Sequence, residues 1–235
     1  MLKRANILLG LAILLAAVPV FAPRVLAQRG GMGMGMMPPS MMGTWNPVVG
    51  SGATYELVQK DGKKQTISIA VVNKDDSGGY WMEYLINTSD NQQMVMQTLL
   101  VKDGASMTVS KMVIQPAGRG PMEMSGQMMQ MMAARGGGAT PAAPKADFTE
   151  GAEKVGTESV TTPAGTFDTM HWRNKDGGQV WISPKAGPWS FVKSVTPDGT
   201  SMTLVKVITD AKSHIVGTPQ SMDSMMGGAR GRGQN

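Results

Sequence analysis

The run Tyr55-Glu56-Leu57-Val58-Gln59-Lys60-Asp61-Gly62-Lys63-Lys64-Gln65-Thr66-Ile67-Ser68-Ile69-Ala70-Val71-Val72 decides the fold class. Gln65, Ile67, Ile69 and Val71 alternate with Thr66, Ser68, Ala70 and Val72, the two-residue period of a strand that turns one face to a core. Tyr55 and Leu57 keep the same period on the segment before it. Between the two runs sits Asp61-Gly62, whose members both tolerate positive φ and so specify a tight hairpin.

The pattern continues in both directions. Tyr80, Met82, Tyr84 and Ile86 form the next apolar face, and Met94–Lys102 and Ala105–Gln115 follow across Asp103-Gly104. This first block predicts five strands in a meander, whose short connections favour antiparallel neighbours. A second block predicts about five more strands: Gly156–Thr162, Thr166–Arg173, Gln179–Ser183, Trp189–Thr196 and Ser201–Asp210. Its turns are Pro163-Ala164-Gly165, Lys175-Asp176-Gly177-Gly178 and Pro197-Asp198-Gly199. Trp172, Trp181, Trp189 and Phe191 are its large apolar anchors. The expectation is a mainly β protein: an antiparallel curved sheet or open half-barrel of about ten strands, with one short Met-rich helix in an insert. That helix is predicted over Met122–Arg135, where Met124, Met128, Met131 and Met132 make an apolar stripe interrupted only by the weak helix former Gly126.

The first twenty-seven residues read as a secretory signal. Lys3 and Arg4 precede an apolar run from Ile7 to Val20, and Val25-Leu26-Ala27 offers small residues at the cleavage positions. An uncleaved anchor helix is the alternative reading. With cleavage, no transmembrane helix is expected, and the compartment is periplasmic or secreted, within a bacterial envelope. The predicted organisation is therefore a signal at 1–27, a disordered Gly/Met-rich segment at 28–47, one β domain at 48–217 carrying a low-complexity insert at 116–146, and a disordered Met/Gly/Arg tail at 218–235.

Composition excludes several functions. The whole chain carries 22 Lys and Arg against 17 Asp and Glu. Lys3, Arg4 and Arg24 belong to the signal, and five further Arg lie in the biased segments, which leaves 14 bases and 15 acids elsewhere. No dense basic face exists to displace counterions from phosphates, so nucleic acid is not an expected partner. The chain has no Cys, which removes disulfides, thiol catalysis and thiolate metal sites. His171 and His214 are its two imidazoles, too few for a His-rich zinc or copper centre. His171 shares a strand face with Phe167, Thr169 and Arg173 and reads as a structural histidine; His214 shows no sequence partner. No Gly-x-Ser-x-Gly context marks a nucleophile. Asp61, Asp103, Asp176 and Asp198 are accounted for by turns. No enzyme activity and no cofactor are expected.

Methionine is the unusual residue, with 23 in the chain and 15 in the three biased segments. Thioethers are soft ligands that need no deprotonation, so Met32, Met34, Met36 and Met37 are candidates for Cu(I) or Ag(I). Met also adapts to irregular apolar surfaces, so the insert is a candidate for apolar docking too; the plainer reading of all three segments is low-complexity sequence whose methionines have no specific role or are oxidised in place of core residues.

The second block also carries a resemblance. Gly156-Thr157-Glu158-Ser159-Val160-Thr161-Thr162-Pro163-Ala164-Gly165-Thr166-Phe167, then Trp181-Ile182-Ser183-Pro184 and Phe191-Val192-Lys193-Ser194, resemble uncharacterised bacterial periplasmic domains grouped by fold with the lipoprotein carriers LolA and LolB. The resemblance covers about fifty-five residues and transfers no functional residue. It implies an incomplete barrel wrapped over a helix or an apolar ligand. The resulting expectation is an exported non-catalytic binding protein for an apolar or amphipathic envelope ligand, lipid or lipidated protein; the alternative is a periplasmic Cu(I)/Ag(I)-handling protein. Ligand-contacting candidates are Met124, Met128, Met131, Met132, Trp172, Trp181 and Trp189.

Overall fold

The computed structural model describes residues 43–87, 93–103, 106–134 and 149–222. Ten strands correspond to the two predicted blocks. The first block gives β1 (Gly52–Val58), β2 (Lys64–Lys74), β3 (Tyr80–Asn87), β4 (Gln93–Asp103) and β5 (Ser106–Gln115). Next come β6 (Met122–Ser125) and helix α1 (Gly126–Ala134). The second block gives β7 (Glu153–Thr162), β8 (Gly165–Arg173), β9 (Gln179–Ile182), β10 (Phe191–Val195) and β11 (Ser201–Ile208), and β12 (Gln220–Ser221) closes the series. All twelve belong to one open sheet, ordered β12-β6-β5-β4-β3-β2-β1-β11-β10-β9-β8-β7. Every neighbour is antiparallel except the short parallel pair β12–β6. Among the described residues, no helix is long and apolar enough to cross a membrane.

The helix prediction needs correction. Met122–Ser125 is a strand paired with Lys111–Ile114 of β5, and the helix begins only at Gly126. The reason is local: the Ser125 hydroxyl accepts the Met128 N–H at 3.2 Å, capping a helix that starts after it. A side chain at Gly126 would sit 3.0 Å from the Ser110 carbonyl, so a glycine lets the chain turn away from β5 here. Trp189, placed by sequence inside a strand, lies in the 183–190 loop before β10, where Ser190 has φ of 55°. Ordered contacts also reach beyond 48–217. Trp45 packs on Trp189 with ring centroids 4.5 Å apart, and Gln220–Ser221 pair with Met122–Glu123.

The alternation read in the sequence becomes two chemically distinct faces. Ala53, Tyr55 and Leu57 of β1 stand opposite Ile69, Ile67 and Gln65 of β2, and opposite Val207, Leu204 and Met202 of β11. This is the core face. Its residues are mostly buried, each apolar side chain contributing roughly 1.5–3 kcal/mol. The 183–190 loop covers part of it: the Tyr55 hydroxyl donates to the carbonyls of Ala186 at 3.1 Å and Phe191 at 3.2 Å, and the Tyr55 ring stacks on Phe191 at 4.2 Å. Bulges at Thr54/Tyr55 and Phe191/Lys193 bend the sheet. In a flat sheet, β7 and β11 would lie four strand spacings apart, roughly 19 Å. Their Cα atoms approach within 8 Å, so this end of the sheet is strongly coiled.

The opposite face is crossed by the segment after β11. Ala211 N–H donates to Gly50 O, His214 binds Glu83 of β3, Ser213 binds Gln97 of β4, and Val216 exchanges hydrogen bonds with the Gln115 side chain of β5. Gln220 then donates to Pro121 O, and β12 begins. This strap covers a face whose residues Ala70, Val95, Leu99 and Val113 are buried.

Candidate functional site on the core face

Strand registers align one continuous row of side chains across six strands. Trp172 of β8 pairs with Val180 of β9, Val180 with Ser194 of β10, and Ser194 with Met202 of β11. Met202 then pairs with Leu57 of β1, and Leu57 with Gln65 of β2. Five strand spacings make this row about 24 Å long along a path that follows the sheet. Val180, Met202 and Leu57 supply an apolar floor, all of them buried. Beyond Trp172, the register reaches Lys154 of the edge strand β7, which is exposed.

The row contains polar atoms with nothing to bond. Trp172 Nε1, Ser194 Oγ and Gln65 Oε1 are buried and lack a hydrogen-bond partner. Trp189 Nε1, from the 183–190 loop, is in the same condition. An unsatisfied buried donor or acceptor costs about 1–3 kcal/mol, so three in one row of an otherwise apolar face is a substantial deficit. An amphipathic molecule or ordered water would remove it. Chemically, the row offers an indole donor at one end, a hydroxyl in the middle and an amide acceptor at the other end, separated by apolar side chains.

The three tryptophans singled out by sequence do not converge. Trp172 ends the row. Trp189 is fully buried against Trp45 and forms part of the core. Trp181 lies on the opposite face, its ring stacked on His171 at 4.2 Å with the Lys193 ammonium 5.0 Å from its centroid. There, Glu158 accepts from the Trp181 indole N–H and lies 3.1 Å from His171 Nδ1, while His171 Nε2 meets Gln179 Oε1 at 2.9 Å. Both imidazole nitrogens are thus engaged, consistent with the structural reading of this histidine. Trp181 therefore belongs to a polar ladder on the other face and not to the core-face row, because strand alternation points it away from Val180 and Ile182.

The methionine stripe is split by the strand–helix boundary. Met124 is half-buried on β6 opposite Met112, Met128 is buried on α1, and Met131 is exposed at 42%. The Met132 side chain lies outside the described residues. The helical residue that packs with β4 and β5 is Met129, which clusters with Met96 and Met112. Met32, Met34, Met36 and Met37 fall outside the described residues, as do the signal and the end of the tail.

Sequence reading missed Gln65, Ser194 and Glu83. Nothing in a single strand signals that a polar side chain will face a core; the only hint was Gln65 standing in phase with Ile67, Ile69 and Val71. His214, without a partner in the sequence, has one in space: Glu83, with 3% side-chain exposure, accepts from it and from Gln97 Nε2.

No family model matches the chain, and no curated protein does. Among solved structures, the chain is similar to a Bacteroides fragilis protein described as exported, with a YmcC-like fold. Identity is 15% and the TM-score 0.31, over 71% of this chain and 99% of that one. It is also similar to MucB in complex with MucA(peri), at 12% identity and a TM-score of 0.38 over 72% of this chain and 53% of that one. The Pseudomonas aeruginosa MucA/MucB complex gives 13% and 0.39, over 70% and 53%. The chain thus spans about half the length of the MucB chains it matches. At these TM-scores the likeness carries no functional argument.

Proposed function

We propose that the chain is an exported, non-catalytic binding protein for an apolar or amphipathic envelope ligand, a lipid or a lipidated protein. The observation that carries this reading is the row Trp172–Val180–Ser194–Met202–Leu57–Gln65, an apolar track with three unpaired buried polar atoms. Binding sites for such ligands are mostly apolar, with a few placed polar groups that fix orientation. The ligand's chain would enter past the partly buried ends of the row and displace the side chains now packed on Val180, Met202 and Leu57. Its head group would sit at the Trp172 end, where Lys154 on the edge strand supplies a cation for an anionic head. Trp172 and Gln65 are only partly buried, so access is from the ends of the row. Export rests on the amino-terminal signal, and the carrier resemblance of the second block agrees with this reading.

The test is extraction and displacement on the purified full chain. Mass spectrometry of an organic extract should show bound lipid, and a fluorescent fatty-acid probe should bind about one equivalent per chain. Trp172→Phe, which keeps a ring and removes the N–H, should weaken the probe several-fold. Folded protein that yields no lipid and binds no probe would overturn the proposal.

A further inference from the structure

Met96 of β4, Met112 of β5 and Met129 of α1 are buried together, with Met124 of β6 packed against them. In the main core cluster, 3 of 19 buried members are methionine: Met82, Met107 and Met202. In this second cluster, all 3 buried members are. The second cluster is thus denser in thioethers than the main core, where Leu, Ile and Val predominate. The placement is specific too. Met112 and Met124 are direct register partners, and Met96 is opposite Ile114, two residues along β5 from Met112. Diagonal neighbours at that spacing are within reach of long side chains. Helix α1 then sets Met129 onto them.

We infer that Met96, Met112, Met124 and Met129 form a thioether site for a soft monovalent cation, Cu(I) or Ag(I). Thioether sulfur selects soft cations and carries no proton to be displaced. The cluster also holds Tyr84, Val109 and Ile114, and Thr98 is the register partner of Met112; among the described residues no group of three or more His, Asp or Glu stands ready for a hard divalent ion. A buried cation is costly without strong ligands. Three or four sulfur bonds supply them, and half-buried Met124 leaves the site at the margin of the fold. This site is independent of the core-face row and of the amino-terminal Met32–Met37 tract.

The test is Cu(I) titration of the purified full chain against a chromophoric Cu(I) chelator under anaerobic conditions, with Ag(I) and native mass spectrometry as the second probe. One equivalent should bind, with affinity flat between about pH 5 and 8 because no ligand must lose a proton. The variant Met96→Leu/Met112→Leu/Met129→Leu conserves volume and should lower affinity by at least about tenfold. Met32→Leu/Met34→Leu/Met36→Leu/Met37→Leu should leave that equivalent in place. X-ray absorption of the wild-type complex reads the ligands directly should the first variant fold poorly, and a sulfur-only shell is expected. The proposal is overturned by no retained Cu(I), by nitrogen or oxygen ligation, or by a bound equivalent that follows the amino-terminal variant.

Discussion

Glu83, buried in β3, and His214, 131 residues further along the chain, are joined by two hydrogen bonds: the backbone N–H of His214 to Oε2 at 2.8 Å, and ring Nδ1 to Oε1 at 2.6 Å. Gln97 Nε2 adds a third contact at 2.8 Å. The strap is thereby fastened to the sheet by a buried carboxylate: Gln97 of β4 shares Oε2 with the His214 N–H, and the His214 ring takes Oε1.

Replacing this carboxylate should loosen the strap. Glu83→Ala leaves the His214 N–H without its acceptor and the Gln97 amide with Ser213 Oγ alone, a loss of about 2–4 kcal/mol. Chemical denaturation measures that loss. Limited trypsin digestion should cut faster at Lys212 than in the parent protein, and an unchanged cleavage pattern would show that the strap is held by other means.

Ser194→Ala should behave in the opposite sense. Its hydroxyl is buried and unpaired in the free protein, so its removal should raise stability by about 1 kcal/mol while weakening the lipid probe. A lowered melting temperature would mean that the hydroxyl has a partner, an ordered water being the first suspect.

Gly187 and Gly62 separate backbone strain from steric conflict. Both have positive φ, 85° and 80°, but a Cβ at Gly187 would stand 2.9 Å from Ala53 Cβ, whereas at Gly62 nothing lies within 4 Å. Each Ala substitution carries the cost of the left-handed backbone, about 1 kcal/mol. Gly187→Ala should cost a further 1–3 kcal/mol or so by overpacking the loop against β1. Equal losses in thermal or denaturant melts would refute the close approach.

Tyr55 predicts an alkaline limit. Burial pushes its phenol well above the ordinary tyrosine value. Because the folded value lies above the unfolded one, its contribution is fully present below about pH 10 and is lost as pH rises, at up to about 1.4 kcal/mol per pH unit. Burial raises the Tyr84 phenol too, so Tyr55→Phe should remove only its own share of that slope, while lowering neutral-pH stability by about 1–2 kcal/mol, through loss of the bonds to Ala186 and Phe191. Phenolate absorbance and circular dichroism, followed together above pH 9, test both halves of the statement.

Local chemistry was legible wherever one short segment held all the information. Asp61-Gly62 and Pro163-Ala164 make their hairpins because turn geometry is set by a few dihedrals. The phase of Ile67, Ile69 and Val71 gave the core face for the same reason. The helix boundary was not legible: Met122–Ser125 has helical propensity, and it extends only because β5 offers it a ladder. The row across β8, β9, β10, β11, β1 and β2 was also hidden, since its members, Leu57, Gln65, Trp172, Val180, Ser194 and Met202, are spread from position 57 to position 202 of the chain.

The amino-acid sequence by itself determined a mainly β, disulfide-free chain with two strand blocks, specified turns and a Met-rich insert, because periodicity and turn preference act over a handful of neighbouring residues. Only the tertiary structure decided that β1 joins β11, that the strap pins Glu83, and that polar atoms on three separate strands face one apolar track. Those outcomes depend on register and bulges between segments distant in the chain, where a shift of one residue would turn every side chain to the other face.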